Sequence, residues 1–267
     1  MKINKRYSWR RMSIVAGVML TFCLTGCKQV STYEYSPYVN VFVEETKHLT
    51  EDQNSPFCDF SMDYSYLDEK DDSICQVINR GIQREFLGEN YASLSPSEAM
   101  EKFKNDYLND YRNELLEIYQ ADIARNDSSG IELPPWYNRT FSLVTFIEEG
   151  HEKTVGASAN YFVDMGGAHP NQWSQWLNFD AKNGELLKVE DVFDAEKTQE
   201  VERLLKEAVN KLEVALYPDA KITIPVNFLL GKHGVRFLFN RYDIAPRSSG
   251  SIELEISYKA IGHCLKR

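Results

Sequence analysis

The chain has 267 residues, 12% aromatic, with a formal net charge of −10. This composition excludes a disordered polymer and argues for a packed core. The excess of acid also excludes a nucleic-acid binder, which needs clustered Lys and Arg, and the length suits one large domain or two modest ones.

The N-terminus carries Lys2, Lys5, Arg6, Arg10 and Arg11 without an acidic residue, then an apolar stretch, Met12 to Leu24, ending in Leu24-Thr25-Gly26-Cys27. A basic head, a short apolar segment and a small residue before the cut describe a secretory signal over 1–26. A membrane span would need ~20 apolar residues. The Leu-x-Gly-Cys ending looks like a bacterial lipoprotein signal, which makes Cys27 the lipid-attachment residue and the membrane a partner through that lipid. Residues 27–37 read as a tether. Cys58, Cys75 and Cys264 remain; in an oxidising envelope Cys58 and Cys75 are candidates for a disulfide, three buried thiols being the alternative.

Tyr38 to Val43 predicts a strand, and Cys58, Phe60, Met62, Tyr64 and Tyr66 alternate with Asp59, Ser61, Asp63 and Ser65 as a half-buried strand does. Asp71-Asp72 opens a helix with Ile74, Val77, Ile78 and Ile82 on one stripe. Ser95-Pro96-Ser97-Glu98 is a helix start of the capping-box kind. The stripe Met100, Phe103, Tyr107, Tyr111, Leu115 and Ile118 extends that helix until Asn126 to Gly130 ends it. Strands follow from Tyr137, through Ala159 to Val163, and through Gln172 to Asp180, with an Asn183-Gly184 hairpin turn. An amphipathic helix carries Val201, Leu204, Leu205, Ala208, Val209 and Leu212. Three strands (Val226 to Leu230, Val235 to Asn240, Ser251 to Tyr258) and a short terminal helix close the chain. Grouped, hairpin-linked strands with inserted helices define an α+β class: two modules with antiparallel sheets, each packed by one or two helices. The boundary is expected near Gly166, giving modules of 38–171 and 172–267.

The segment Tyr161-Phe162-Val163-Asp164-Met165-Gly166-Gly167-Ala168-His169-Pro170, then Asn178-Phe179-Asp180, Asn183-Gly184 and Asp191-Val192-Phe193, resembles a bacterial envelope family. That family joins two domains, DUF4163 (also called the PdaC domain) and DUF3298. Phe239-Asn240-Arg241-Tyr242-Asp243-Ile244-Ala245-Pro246 with Gly250, and Ile78-Asn79 on a helix after an aromatic strand, fit the same pattern. The resemblance implies a DUF4163-like module over 38–171, a DUF3298-like module over 172–267, and kinship with the extracellular part of lysozyme-binding anti-sigma factors. It also implies a ligand- or protein-binding role outside the cytoplasmic membrane. The metal motif of the family's polysaccharide deacetylases is missing from this sequence.

No catalytic motif survives inspection. His151-Glu152-Lys153-Thr154-Val155 has Val where a zincin needs its second His. Gly156-Ala157-Ser158-Ala159-Asn160 has Asn where a nucleophile elbow needs Gly. No metal site and no cofactor are expected. The loop Gly166-Gly167-Ala168-His169-Pro170 has two readings. In one, His169 contacts a ligand or acts as an acid–base group. In the other, the glycines permit positive φ and close approach, and the imidazole bridges unpaired backbone groups between sheets. Trp173 shares a strand face with Leu177 and Phe179. Trp176 falls on the polar face, where an exposed indole stacks on sugars or anchors a partner; packing under a neighbouring element is its other reading.

The expectation is a lipid-anchored, non-catalytic envelope binding protein, on the periplasmic face or at the outer membrane. Its ligand would be a lysozyme-like secreted protein or a cell-wall glycan, met by His169, Trp173 and Trp176. The alternatives are a cell-wall hydrolase centred on His169 and a structural subunit of an envelope complex.

Overall fold

The computed structural model describes residues 4–6, 38–68, 72–126 and 133–266. Cys27, the 27–37 tether and all of the expected signal except Asn4–Arg6 lie outside the described residues. Strands β1 (Asn4–Arg6), β2 (Tyr38–His48), β3 (Phe57–Leu67), β4 (Arg139–Glu149), β5 (Thr154–Asp164), β6 (Asn171–Asp180) and β7 (Leu186–Leu187) lie side by side in chain order in one sheet. A second sheet has the order β10 (Ile252–Ser257), β9 (Gly234–Phe239), β8 (Phe228–Leu230). The class is α+β, and the pairing is antiparallel except between β3 and β4. That pair is parallel because α1 (Ser73–Leu87) and α2 (Pro96–Asn126) carry the chain back to the end from which it started.

Local chemistry fixes both helix starts. Asp72 Oδ1 accepts the Ile74 and Cys75 amides at 2.8 and 3.5 Å. Before α2, Ser95 Oγ accepts the Glu98 amide at 3.4 Å while Glu98 Oε2 accepts the Ser95 amide at 3.1 Å, the reciprocal capping box. The buried stripe of α2 runs Met100, Lys104, Leu108, Tyr111, Leu115, Tyr119, so the expected Ile118 is exposed and Tyr119 takes its place. Lys104 holds a core-facing position because its ammonium is paired with Glu45 at 2.9 Å and Glu101 at 3.2 Å. Burial works against that charge, but the two carboxylates outweigh it and raise the Lys104 pKa.

The helices cover one face of the larger sheet. There Val41, Phe60, Met62, Tyr64, Leu143, Ala159 and Phe179 meet Ile78, Ile82, Met100 and Tyr111 in one core. A second core lies between the smaller sheet and α4 (Thr198–Asn210), with Val201, Leu205, Phe228, Phe237, Leu254 and Ile261. The expected boundary at 171/172 falls at the first residue of β6, which pairs with β5 from Val163↔Asn171 to Thr154↔Asp180. The cores divide instead around Leu187 and Val189, whose side chains pack against the second.

The Cys58–Cys75 disulfide is not formed. Cys58, Cys75 and Cys264 are separate buried thiols. Cys58 stands at the start of β3, whereas the helix bearing Cys75 meets the far end of that strand: Asn79 donates to the Leu67 carbonyl and accepts the Leu67 amide, both at 2.9 Å. Burial pushes the Cys58 thiol up to about 12, so it is protonated and unreactive at neutral pH.

Candidate functional site

The two sheets meet along the outer edge of β6, and asparagine side chains join them. Asn240 at the end of β9 accepts the Ser174 amide and donates to the Ser174 carbonyl, both at 2.8 Å. Asn227, just before β8, accepts the Trp176 amide at 3.0 Å. Asn178 returns the contact, donating to the Phe228 carbonyl and accepting the Leu230 amide, both at 2.8 Å. A carboxamide offers a donor and an acceptor at peptide-like spacing, so each of these residues replaces a missing strand along an edge that would otherwise be unpaired.

Trp176 fills the interior of this junction. It is 7% exposed and packs with Leu229 and Leu238, and the Arg236 guanidinium lies 4.7 Å from its ring centroid, within cation–π range. Of its two readings, packing under a neighbouring element is the one observed, and its assignment as a ligand contact is corrected. The face assignment holds, but the second sheet covers that face.

Trp173, on the opposite face of β6, is 39% exposed. Its ring stacks on Tyr161 with centroids 4.6 Å apart and planes 5° from parallel. Tyr161 is itself anchored by its hydroxyl on the Phe86 carbonyl at 2.9 Å, and burial raises its pKa. One face of the indole is thus supported while the side chain stays open to solvent.

Trp173 borders a cleft of about 670 Å³ beside β6. Its walls include Gln175 on β6, Leu187 to Glu190, Val226 and Asn227 before β8, and Glu85 of α1. Val226 is 81% exposed, an apolar side chain offered to solvent at the rim. A smaller hollow of about 300 Å³ adjoins Trp173 and Ser174 on the other side, lined by Ser142, Asn160, Gln172 and Arg241. The walls combine aromatic surface with amide, hydroxyl and charged groups, which suits a polar ligand with apolar faces.

His169 does not join this cleft. It is exposed, and among the described residues no hydrogen bond or ion pair engages it. It bridges no backbone groups, and no carboxylate holds it in a catalytic orientation. The glycine beside it has a structural explanation: Gly166 has φ +68°, and a Cβ there would stand 2.3 Å from the Pro135 carbonyl oxygen and 2.4 Å from Trp136 Cα. His151, from the failed zincin motif, lies in the β4–β5 turn with its ring 3.9 Å from that of Tyr258. Of the three expected ligand residues, β6 carries two, one buried and one open. The asparagine clamps escaped the sequence reading, because nothing local to Asn227 or Asn240 shows that its partner is a strand edge more than fifty residues away.

A fold of two α+β cores joined at a clamped strand is also that of known proteins. Residues 103–259 match the family model "Protein of unknown function (DUF3298)". More than half of the chain is matched, and the protein belongs to the DUF3298 family. The matched stretch begins in α2 and crosses both cores. The crystal structure of a DUF3298 family member from Bacteroides fragilis NCTC 9343 is similar, with a TM-score of 0.77 and 26% identity over 86% of this chain and 93% of that one. A DUF3298 family protein from Pseudomonas aeruginosa PAO1 shares the fold, with a TM-score of 0.56 and 18% identity over 87% of this chain and 95% of that one. No curated protein matches the sequence.

Proposed function

We propose that this DUF3298 protein is a non-catalytic binding protein of the cell envelope, anchored by a lipid on Cys27, with a DUF4163-like first module. Its cleft beside Trp173 takes a cell-wall glycan. The observation that carries the reading is the half-exposed Trp173 ring, backed by Tyr161 and flanked by the 670 Å³ cleft. Sugar rings present an apolar C–H face and a rim of hydroxyls. A supported indole meets the first, and the amide and carboxylate groups of Gln175, Asn227 and Glu85 suit the second. The signal-like N-terminus supports the setting, since it ends in Gly26-Cys27 after a short apolar run.

The hydrolase alternative has less support, because His169 stands apart from the cleft and from any carboxylate partner. The test uses cells expressing the full chain. Wild-type protein is expected in the membrane fraction, with Cys27→Ser moving it to the soluble fraction. Detergent-solubilised wild type is expected to bind soluble peptidoglycan fragments in calorimetry, with Trp173→Ala weakening that binding at least tenfold while circular dichroism is unchanged. Equal glycan binding by both proteins, or binding to lysozyme alone, would overturn the glycan assignment.

A further inference from the structure

A second cluster lies in the other core, away from β6. Glu200 stands in the first turn of α4, and His263 and Cys264 lie in the one-turn 3-10 helix Gly262–Cys264 near the C-terminus. Backbone contacts hold these segments together: Phe193 bridges Leu265, the Asp194 amide donates to the Cys264 carbonyl at 2.9 Å, and the Lys266 amide donates to the Val192 carbonyl at 2.8 Å. The cluster is therefore positioned by the fold rather than by chance contact of long side chains.

Its geometry is unusual for a plain hydrogen-bonded group. The same imidazole nitrogen, His263 Nε2, lies 2.9 Å from Glu200 Oε1 and 3.5 Å from Cys264 Sγ. A single ring nitrogen has one proton or one lone pair, so it serves one of these neighbours well and not both. The three potential donor atoms lie within 4.8 Å of one another. Around a tetrahedral zinc ion, with bonds of about 2.0 Å to N and O and 2.3 Å to S, donor atoms sit about 3.3–3.6 Å apart. The sulfur–nitrogen separation already has that value. Closing the set needs only a small outward movement of the Glu200 carboxylate, whose side chain is 34% exposed. Lys197 Nζ lies on its other oxygen, Oε2, at 3.7 Å, leaving Oε1 turned toward the histidine.

We propose that Glu200, His263 and Cys264 form a binding site for a zinc-class divalent cation. The nitrogen, oxygen and thiolate donors select a borderline-soft ion over magnesium or calcium. As the metal–sulfur bond forms, the Cys264 proton passes to solvent. The thiolate and carboxylate then carry two negative charges against two positive ones, and the imidazole binds as the neutral base. The side chain of His263 is half-exposed, which leaves a fourth position open to water. The site ties the C-terminal segment to α4, so it acts as a staple of the second core.

Cobalt(II) tests this, because a thiolate ligand gives it a near-ultraviolet charge-transfer band that oxygen and nitrogen ligands do not. Full-length protein, reduced and stripped with chelator, is expected to develop that band and to saturate at one ion per chain, with zinc displacing cobalt. Cys264→Ser is expected to abolish the band. Since Cys264 is buried, the exposed His263→Asn and half-exposed Glu200→Gln serve as companions that leave the core untouched; each is expected to weaken zinc at least tenfold in competition with a chelating dye. Absence of the band in the wild type, its persistence in Cys264→Ser, or unchanged zinc affinity in both companions would overturn the site.

Discussion

At the residue scale the recurring device is an asparagine side chain standing in for a strand. Asn79 closes the end of β3 on Leu67, and Asn178 and Asn240 each make a donor–acceptor pair with backbone across the junction. Apolar burial alone would leave these amides and carbonyls without partners, at about 1–3 kcal/mol for each orphaned group. Asn178 is 1% exposed. Asn178→Ala removes partners from both the Phe228 carbonyl and the Leu230 amide, and it is expected to cost about 2–5 kcal/mol. Urea unfolding at pH 7 should show this as a lower midpoint at unchanged slope. A loss below about 1 kcal/mol would mean that water replaces the clamp. The same reasoning explains two segments of the family-like pattern, Ile78-Asn79 and Asn240 to Pro246. Each positions an asparagine, and Ile244 and Ala245 anchor the latter loop in the second core.

At the element scale, helix starts obey local electrostatics. The Ile74 amide, more than the smaller opposing effect of slight burial, holds the Asp72 carboxyl below its ordinary value, with Cys75 adding to it. A depressed carboxylate pKa stabilises the fold above the unfolded value and loses that contribution as pH falls through the folded one. Asp72→Ala is thus expected to destabilise by about 1 kcal/mol at pH 7, and the gap from wild type should close as pH falls below the ordinary carboxylate range. A gap that persists at pH 2 would show that the cap acts through packing rather than charge. Features set within one element were legible in the sequence: the alternation of Cys58 to Tyr64, which breaks at Ser65 and Tyr66, the capping box at Ser95 and Glu98, and the turn at Asn183-Gly184, where Gly184 has φ +74°. Features set by another element were not. Lys104 was passed over in the α2 stripe because its partner Glu45 lies on β2, and Trp176 kept two readings because its cover, Leu229 and Leu238, comes from the smaller sheet. The cation site was equally hidden. His263-Cys264 is a bare dipeptide until the fold brings Glu200 beside it.

At the scale of the whole molecule, β6 serves both the first core and the junction with the smaller sheet. Leu177 and Phe179 point into the core beneath α1 and α2, while Trp176 points into the junction. Arg236 ties the same place together, lying over the Trp176 ring and pairing with Glu253 at 2.7 Å and Glu148 at 3.7 Å. A strand shared in this way couples the stabilities of the two cores, because losing either one uncovers a large aromatic side chain. In hydrogen exchange read by mass spectrometry, peptides from 38–187 and from 189–266 are therefore expected to share one slowest opening in the wild type. Trp176→Ala removes about 3–5 kcal/mol of burial at the junction while leaving both hydrophobic cores their own side chains. The two peptide sets should then separate. The second core, with the smaller sheet and little more than α4 to cover it, is expected to open first. Separate openings already present in the wild type would show that the cores are not coupled, and a single shared opening retained in the mutant would show that the asparagine clamps rather than the indole transmit the coupling. A double mutant of Trp176→Ala with Asn178→Ala distinguishes these routes, since two groups acting through one junction give a combined loss that departs from the sum of the single losses.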